Sequence, residues 1–371
     1  MNQLMMHPLK YLGSSWLQAH SGYEKKFDLS TPSGLKDVET KANITWTSTL
    51  DGDPVCKKFN NFIINEGHTV TVSNRCKGLY LMVAGNLIVN GTLSMTARGA
   101  NAVGRHILID KNGVIYYYVD EYDKSQYDEN FAHISATGGI GVSAATGIAA
   151  TNINSIYKFS TGAAGVNGAC GAGGNAFNKG GNGTSFSGGA GAGGNGYEWL
   201  SSGGGNAWRF GAAGANNGGA GGTNGVYQRK TRAGTGAGNP PGALNNTYGS
   251  KGAVGTGGLI IIFCKGNIII GDNGKIEANG SKGGNGVATT SSSSTADTQV
   301  TGSGGSGSGG GAIHIFYNES ITNVNRIYVS GGAAGISGRY STTEHKQYSW
   351  NGAAGGAGSK IITQYTPLLA V

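Results

Sequence analysis

The chain has few charged residues, few prolines and no long apolar run, and each shortage excludes a class of protein. Charged side chains make up 12% of the 371 residues, about half the share of an average globular protein. With 6 prolines and irregular glycine spacing, the chain cannot form a collagen triple helix, which needs glycine at every third position. No stretch approaches the roughly 20 apolar residues of a membrane span, so we expect no membrane insertion.

Cysteine is also scarce, and its placement predicts no chemistry. The four residues, Cys56, Cys76, Cys170 and Cys264, are scattered and form no C-x-x-C pair. A lone cysteine in such a setting usually serves as a small, buried apolar side chain. We therefore expect free, mostly buried thiols, with a Cys56–Cys76 disulfide as the alternative.

The N-terminus and the charge balance bear on where the chain acts. The first residues, MNQLMMHPLKYLGSSW, contain no apolar stretch long enough for a signal peptide. We therefore expect synthesis in a cytoplasm, followed by assembly or lysis. The formal net charge of +8 slightly favours anionic partners, but the charges are dispersed and predict no nucleic-acid binding.

Glycine is abundant instead, and three glycine-flanked segments share one plan. The chain has 71 glycines, far above the usual share of about 7%. The segments are 78–100, 257–286 and 310–335. Each opens with glycine and a short apolar run, passes a polar corner into a second apolar run, and reaches a third short strand after an Asn/Gly turn. Each ends in small residues and glycine.

This plan predicts an all-β fold whose strands form the rungs of a parallel β-helix. Ile and Val favour strands, and Asn and Gly tolerate the left-handed backbone angles of corners. A unit of roughly 20–25 residues matches one rung, and one rung cannot bury its apolar face alone. We expect the three segments to stack as adjacent coils, with 62–72 starting the stack and 359–368 closing it.

Long excursions should interrupt this core at about 101–256, 287–308 and 336–357. In the first excursion, apolar runs at 106–109 and 114–118 flank a Lys-Asn-Gly turn, which predicts a β-hairpin.

A glycine array follows from 162 to 225, with runs such as GAAGVNGACGAGGN. It uses Gly, Ala and Asn, whereas flexible linkers use Ser and charged residues, and large aromatics interrupt it. We therefore favour an ordered bundle of polyglycine II helices over a linker. Such helices have three residues per turn and no internal hydrogen bonds, so their backbone groups can pair with neighbouring strands.

These residues resemble a known family. The runs NFIINEGHTVTVSNRCKGLYLMVAGNLIVNGTLSMTARGA and GGLIIIFCKGNIIIGDNGKIEANGSKGGNG are similar to strand-rich parts of glycine-rich phage and prophage tail proteins. The array with aromatic interruptions resembles the distal tail-fibre adhesins of T-even-like phages. The resemblance covers roughly 60–365 and is one of pattern. It implies a rigid sandwich of polyglycine II helices with variable loops at the tip that bind the host surface.

Catalytic and metal-binding signals are weak, so we predict a protein that is not an enzyme and has no cofactor or metal. No P-loop, nucleophile elbow or zinc spacing is convincing, and Gly-x-Gly-x-x-Gly strings arise by chance in so glycine-rich a chain. His314 alternates with isoleucines and is interpreted as a residue of a rung rather than a ligand. One acidic cluster is interpreted as a solvated loop, with weak cation binding as the alternative: Asp120, Glu121, Asp123, Asp128 and Glu129.

Aromatic and basic residues in the excursions are better candidates for binding. Aromatic rings stack on sugars, and Tyr, Trp and Arg dominate binding hot spots. The alternative is that these rings fill gaps at the edge of the glycine array. The receptor-binding candidates are Tyr197, Trp199, Trp208, Arg209, Tyr227, Arg229, Tyr248, Tyr340, Tyr348 and Trp350.

The expected organisation has four parts: an attachment segment at 1–60, a β-rich entry with the hairpin at 61–160, the polyglycine II region with tip loops at 161–256, and β rungs with glycine-rich excursions at 257–371. The expected function is adhesion of a virion or tail-like particle, through its tail tip, to a bacterial surface polysaccharide or surface protein. The N-terminal segment would join other tail or fibre proteins, and homo-oligomer formation is left open. Alternatives are a tail-associated polysaccharide depolymerase, a structural tail or baseplate protein, and an ice-binding protein.

Overall fold

A computed structural model describes part of the chain in full and a further part as backbone strands only. The fully described ranges are 33–101, 180–184, 186–194, 233–244, 249–287, 302–338 and 351–364. The backbone strands are at 23–27, 105–109, 115–118, 132–136, 151–152, 196–200, 207–209 and 298–301.

The described residues are nearly all β-structure, and the one helix among them is a 3-10 turn at Val324–Arg326. In chain order the strands are β1 (Tyr23–Phe27), β2 (Val38–Glu39), β3 (Ile44–Trp46), β4 (Val55–Phe59), β5 (Phe62–Ile64), β6 (Thr69–Val72), β7 (Leu79–Val83), β8 (Leu87–Val89), β9 (Thr92–Ser94), β10 (Arg105–Ile109), β11 (Ile115–Tyr118), β12 (Ala132–Ala136), β13 (Thr151–Asn152), β14 (Gly196–Leu200), β15 (Ala207–Arg209), β16 (Leu259–Cys264), β17 (Ile268–Ile270), β18 (Lys275–Glu277), β19 (Thr298–Gly302), β20 (Ala312–Tyr317), β21 (Ile327–Tyr328) and β22 (Ser359–Gln364).

Three parallel sheets organise most of these strands. The first sheet has the order β22-β20-β16-β7-β4, the second β17-β8-β5-β2, and the third β21-β18-β9-β6-β3. The chain visits the sheets repeatedly in the order first, second, third, and we call each such visit a passage. In the passage of β20 and β21, the second-sheet position is held by an isolated bridge between Ile321 and Ile268.

The predicted stacking of the separated apolar segments is confirmed. Ile260 pairs in parallel with Leu79 on one side and with Ile313 on the other. The rings of Phe263 and Phe316 stack at 4.8 Å between centroids. Segments almost two hundred residues apart in the chain are therefore neighbouring strands of one sheet. The strands expected at 62–72 are β5 and β6, but β2 and β3 pair with them, so the stack begins earlier than predicted.

A single apolar core lies between the three sheets, because alternate residues of each strand face it. Leu81, Ile262 and Ile315 occupy paired positions in the first sheet, and Leu93 and Ile276 do so in the third; all five are fully buried. Burial of one such side chain contributes roughly 1.5–3 kcal/mol relative to exposure. The in-register columns therefore supply the main apolar contribution to stability.

Asparagine side chains hold the corner between the first and second sheets in successive passages. The Oδ1 atom of Asn61 accepts the backbone N–H of Asn86 at 2.7 Å, and the Oδ1 atom of Asn86 accepts the backbone N–H of Asn267 at 2.9 Å. Asp37 begins the ladder by accepting the Asn61 side-chain amide at 2.9 Å. These hydrogen bonds satisfy corner backbone groups that the sheets leave unpaired.

Glycine-rich segments leave the sheets and hydrogen-bond to one another in a three-residue rhythm. From Gly305 to Gly311, successive backbone N–H groups donate in turn to segments 278–287, 186–194 and 351–358, with N···O distances between 2.7 and 3.0 Å. The cycle then repeats. Carbonyl groups of 302–311 accept from 233–238, 250–257 and 329–338, so this central segment bonds to six neighbours.

Close approach of these segments explains the glycines at their contact points. A Cβ atom on Gly307 would overlap the carbonyl oxygen of Gly332, and one on Gly311 would overlap that of Gly258. The part of the predicted array that the structure describes in full, 180–184 and 186–194, is hydrogen-bonded through its backbone. The rest of 162–225 lies outside the fully described residues.

Antiparallel strands form two further sheets. The predicted hairpin is confirmed, because β10 and β11 pair antiparallel with Ile109 opposite Ile115. They belong to a five-stranded sheet of order β1-β11-β10-β12-β13, and a three-stranded sheet has the order β15-β14-β19. The acidic cluster at 120–129 lies outside the described residues.

Predictions for individual core residues can also be compared with the structure. Cys56, Cys76 and Cys264 are thiols and not disulfides, as expected, and Cys170 lies outside the described residues. His314 is 1% exposed and pairs with Ile261 and Ile361, which fits a residue of the strand stack. Within the described part of the chain, no helix has the length and apolarity needed to cross a bilayer.

Candidate functional site

Seven glycine-rich segments form a bundle with two distinct ends. They are 186–194, 233–238, 250–257, 278–287, 302–311, 329–338 and 351–358, and we call them the bundle. Three of them run directly into first-sheet strands at one end, since 257 precedes β16, 311 precedes β20 and 358 precedes β22. We call the opposite end, at residue 302, the far end.

Backbone hydrogen bonds bring the segment termini together at the far end. The N–H of Gly194 donates to Gly234 at 3.0 Å, and the N–H of Gly234 donates to Ser303 at 3.0 Å. The N–H of Gly338 donates to Gly302 at 3.0 Å, and the N–H of Gly286 donates to Ile336 at 2.8 Å. The three connections 195–232, 288–301 and 339–350 therefore each leave the bundle and return to it at this one end.

Side chains at the far end reinforce the junctions between the segments. The Oδ1 atom of Asn285 accepts the backbone N–H of Ile336 at 2.9 Å, and the Oδ1 atom of Asn351 accepts that of Ser337 at 2.8 Å. The backbone N–H of Asn285 donates to the hydroxyl of Ser250 at 2.6 Å. The connections are therefore anchored on fixed bases and not on a flexible stalk.

All the predicted binding residues except Tyr248 fall on two of these connections, 195–232 and 339–350. Tyr197 and Trp199 lie in β14, and Trp208 and Arg209 lie in β15; only their backbone is described. Tyr197 is directly opposite Trp208 in the strand pairing. The remaining candidates lie outside the described residues: Tyr227, Arg229, Tyr248, Tyr340, Tyr348 and Trp350. Tyr248 precedes Ser250, which is hydrogen-bonded at the far end.

Sequence analysis missed several residues of the far end. Ile336 is 55% exposed and Val287 is 36% exposed, although both are large and apolar. They are adjacent because Gly286 donates to the Ile336 carbonyl. Neither residue stood out, because a single aliphatic residue within a glycine run gives no periodic signal. Asn285 and Asn351 could have been noticed as asparagines close to the termini of glycine-rich segments.

A groove of about 680 Å³ lies elsewhere, along the edge strand β4 of the first sheet. Its two carboxylates, Asp51 and Asp53, are each paired with a basic side chain. Two guanidinium nitrogens of Arg75, Nε and Nη2, donate to the carboxylate of Asp51 at 2.6 and 2.8 Å. The Lys77 ammonium lies 3.9 Å from the Asp53 carboxylate. These pairs occupy the acidic groups that acid–base or metal chemistry would need.

The thiol in this groove is poorly suited to nucleophilic chemistry. Burial, chiefly, raises the pKa of Cys56 to about 12, and burial raises the pKa of Cys264 to about 11. The thiolate is the nucleophile and the metal ligand, so both groups stay protonated at neutral pH. Among the fully described residues, no group of three or more His, Cys, Asp or Glu side chains could hold a metal ion.

Comparisons of the chain with protein-family models, with curated proteins and with solved structures found no significant match. The candidate site therefore rests on the bundle geometry and on the residues of the connections.

Proposed function

We propose that this protein is a tail-tip adhesin of a phage or tail-like particle, and that it binds a bacterial surface polysaccharide or surface protein. One observation carries the proposal: the three connections start and end at the far end of the bundle. Aromatic and basic candidates separated by more than one hundred residues, such as Tyr197 and Tyr348, belong to connections with neighbouring bases. This arrangement supports a composite binding surface.

We further propose that the passages form a parallel β-helix and that the bundle is a polyglycine II assembly. In-register strands in three parallel sheets around one core support the β-helix. Donors that return to the same neighbour after three residues support polyglycine II, which has three residues per turn. At about 3.1 Å per residue, the ten residues 302–311 would project the far end about 28 Å from the first sheet.

A rigid bundle suits this function because it limits the entropy lost on binding. Loops that are held in place before association lose less conformational freedom when the receptor binds. Loops on a fixed scaffold also tolerate sequence change, which would let related particles change receptor. The protein would act without a cofactor, and the N-terminal segment would join it to other tail or fibre proteins.

Binding of fluorescently labelled protein to a panel of bacterial strains tests the proposal. Tyr348→Ala, on the connection 339–350, should weaken binding by about 1–4 kcal/mol if this tyrosine is a hot spot. Tyr328→Ala is the matched control, because Tyr328 is 38% exposed on the third sheet and not at the far end. Thermal melts of both variants should match the parent. If no strain binds the parent protein, adhesion is the wrong function.

The same assay distinguishes the main alternatives. Incubation with polysaccharide from a bound strain should release no new reducing ends and no unsaturated sugars. Release of such ends would favour a depolymerase on the same scaffold. A protein that assembles into particles but binds no cell would favour a structural tail or baseplate role.

A further inference from the structure

The first and last passages of the described chain are incomplete in opposite ways. In the described residues the first contains second- and third-sheet strands, β2 and β3, but no first-sheet strand beside β4. The last contains the first-sheet strand β22 and no second- or third-sheet strand in the described residues. The β4 end of the stack therefore lacks a first-sheet strand, and the β22 end has a first-sheet strand with no second- or third-sheet strand beside it in the described residues.

Local sequence explains the missing strand at the start. In the other passages a first-sheet strand ends a few residues before the second-sheet strand, as β4 ends before β5. The corresponding position before β2 holds a turn, in which Gly34 has φ of +88°. A strand residue does not adopt this angle, so β4 is left as the edge of the first sheet. The groove of about 680 Å³ follows this edge and is lined by Val55, Cys56 and Lys57.

Both edge strands direct backbone groups outward. In a parallel sheet, alternate residues of a strand bond to the neighbours on its two sides. The N–H of Val55 donates to Gly78 within the sheet, so the backbone N–H of Cys56 faces the open edge. At the other end the N–H of Ser359 donates to Gly311, so the backbone N–H of Ile362 faces outward.

The apolar core is also incompletely covered at both ends. Most partly buried residues that pack against the core belong to the end passages. At the β4 end they are Val38, Ile44 and Trp46, and at the β22 end they include Val329 and Ile362. The residues in between are almost completely buried. Each end therefore presents half-covered apolar side chains beside an open strand edge.

We propose that these two ends bind each other in different copies of the chain, with β22 of one copy added in parallel to β4 of the next. The joint would complete a composite passage, in which β22 of one copy supplies the first sheet and β2 and β3 of the next supply the second and third. Each sheet then continues across the joint. The interface is heterologous, because two different surfaces meet.

A heterologous joint predicts head-to-tail association that does not stop at a dimer unless it closes into a ring. In sedimentation velocity on the full chain, the average mass should rise with concentration. Cys56→Pro blocks the β4 edge and Ile362→Pro blocks the β22 edge. Each removes an N–H that points outward and leaves the bonds within the sheet, and proline is tolerated on edge strands.

Mixing the two variants is the decisive experiment. Each variant alone should be monomeric, with self-association at least tenfold weaker than that of the parent. A one-to-one mixture should form dimers and nothing larger, because each copy keeps one intact end. Ile269→Ala, on the outer face of the second sheet, is the control and should associate like the parent.

Three results would overturn the proposal. These are a parent that is monomeric at every concentration, a single variant that associates as strongly as the parent, and folded variants that do not form the mixed dimer. Circular dichroism melts identify a variant that has unfolded, and Lys57→Glu and Ile362→Glu then replace the proline variants. Cell binding is measured separately, so failure of assembly leaves the proposed adhesion unaffected.

Discussion

One glycine substitution distinguishes an ordered bundle from a flexible linker by the sign of its effect on the free energy of unfolding. In a linker, Gly307→Ala would be neutral or would stabilise by about 0.4–1 kcal/mol, because alanine restricts the unfolded chain. In the structure, the new Cβ atom overlaps the carbonyl oxygen of Gly332. That carbonyl accepts the N–H of Gly355 at 2.8 Å, and Gly307 itself donates to Ala353 at 3.0 Å.

The expected cost follows from the bonds that must shift. Moving the Gly332 carbonyl away disturbs two or three backbone hydrogen bonds, each worth about 1 kcal/mol net. We therefore expect Gly307→Ala to lower the free energy of unfolding by about 2–3 kcal/mol. Denaturant titration followed by circular dichroism measures this change. Ala354→Ser, at an exposed position of a neighbouring segment, should stay within about 0.5 kcal/mol of the parent. An unchanged or raised stability of Gly307→Ala would refute the close packing of the bundle.

Two further predictions concern the strand core. Asn86→Ala should destabilise by about 1–3 kcal/mol, because the backbone N–H of Asn267 loses its acceptor in a partly buried corner. Asn318→Ala should cost much less, because the exposed side-chain amide of Asn318 contacts the neighbouring carboxylate of Glu319. Equal melting midpoints of the two variants would contradict the ladder. The raised pKa values of Cys56 and Cys264, about 12 and about 11, predict no reaction with a disulfide reagent at pH 8 until the chain is unfolded. Since burial raises the folded-state pKa of Cys56 above the ordinary thiol value of 9.0, the related stability is complete below about pH 9 and is lost as the pH rises through the folded-state value. Labelling of Cys56 or Cys264 in the folded protein at pH 8, located by peptide mapping, would show that these sites are open.

The surface of the bundle also explains why small residues alternate with glycine in it. In 351–358 the exposed residues are Asn351, Ala354 and Ala357, three positions apart, while the glycines between them face other segments. The same spacing recurs at Ser330 and Ala333. Every third residue of these segments faces outward and can carry a side chain, whereas the two residues between face other segments and are small. The composition of the bundle therefore follows from its packing.

Local strand structure could be predicted from the sequence because its signals are local. The isoleucine-rich run at β16, the asparagine and glycine at its corner, and the hairpin of β10 and β11 each depend on neighbours a few residues away. Side-chain branching and turn preferences act over that range. The shared plan of 78–100, 257–286 and 310–335 also predicted which strands would be neighbours, since each apolar face needs a partner.

Only the tertiary structure shows which segments are neighbours at the far end of the bundle and which strands form the edges of the first sheet. Nothing in the order of residues shows that Gly194, Gly234 and Ser303 meet, because that contact depends on the direction in which each glycine segment leaves the sheets. The same is true of the complementary edges β4 and β22, which are the first and last members of one sheet. The pattern of apolar residues predicts which segments form strands. Which strand edges stay unpaired depends on how many passages the chain completes and where it leaves the sheets. For this protein, the sequence determined the strands and the glycine packing, and the tertiary structure determined the far end and the two open edges.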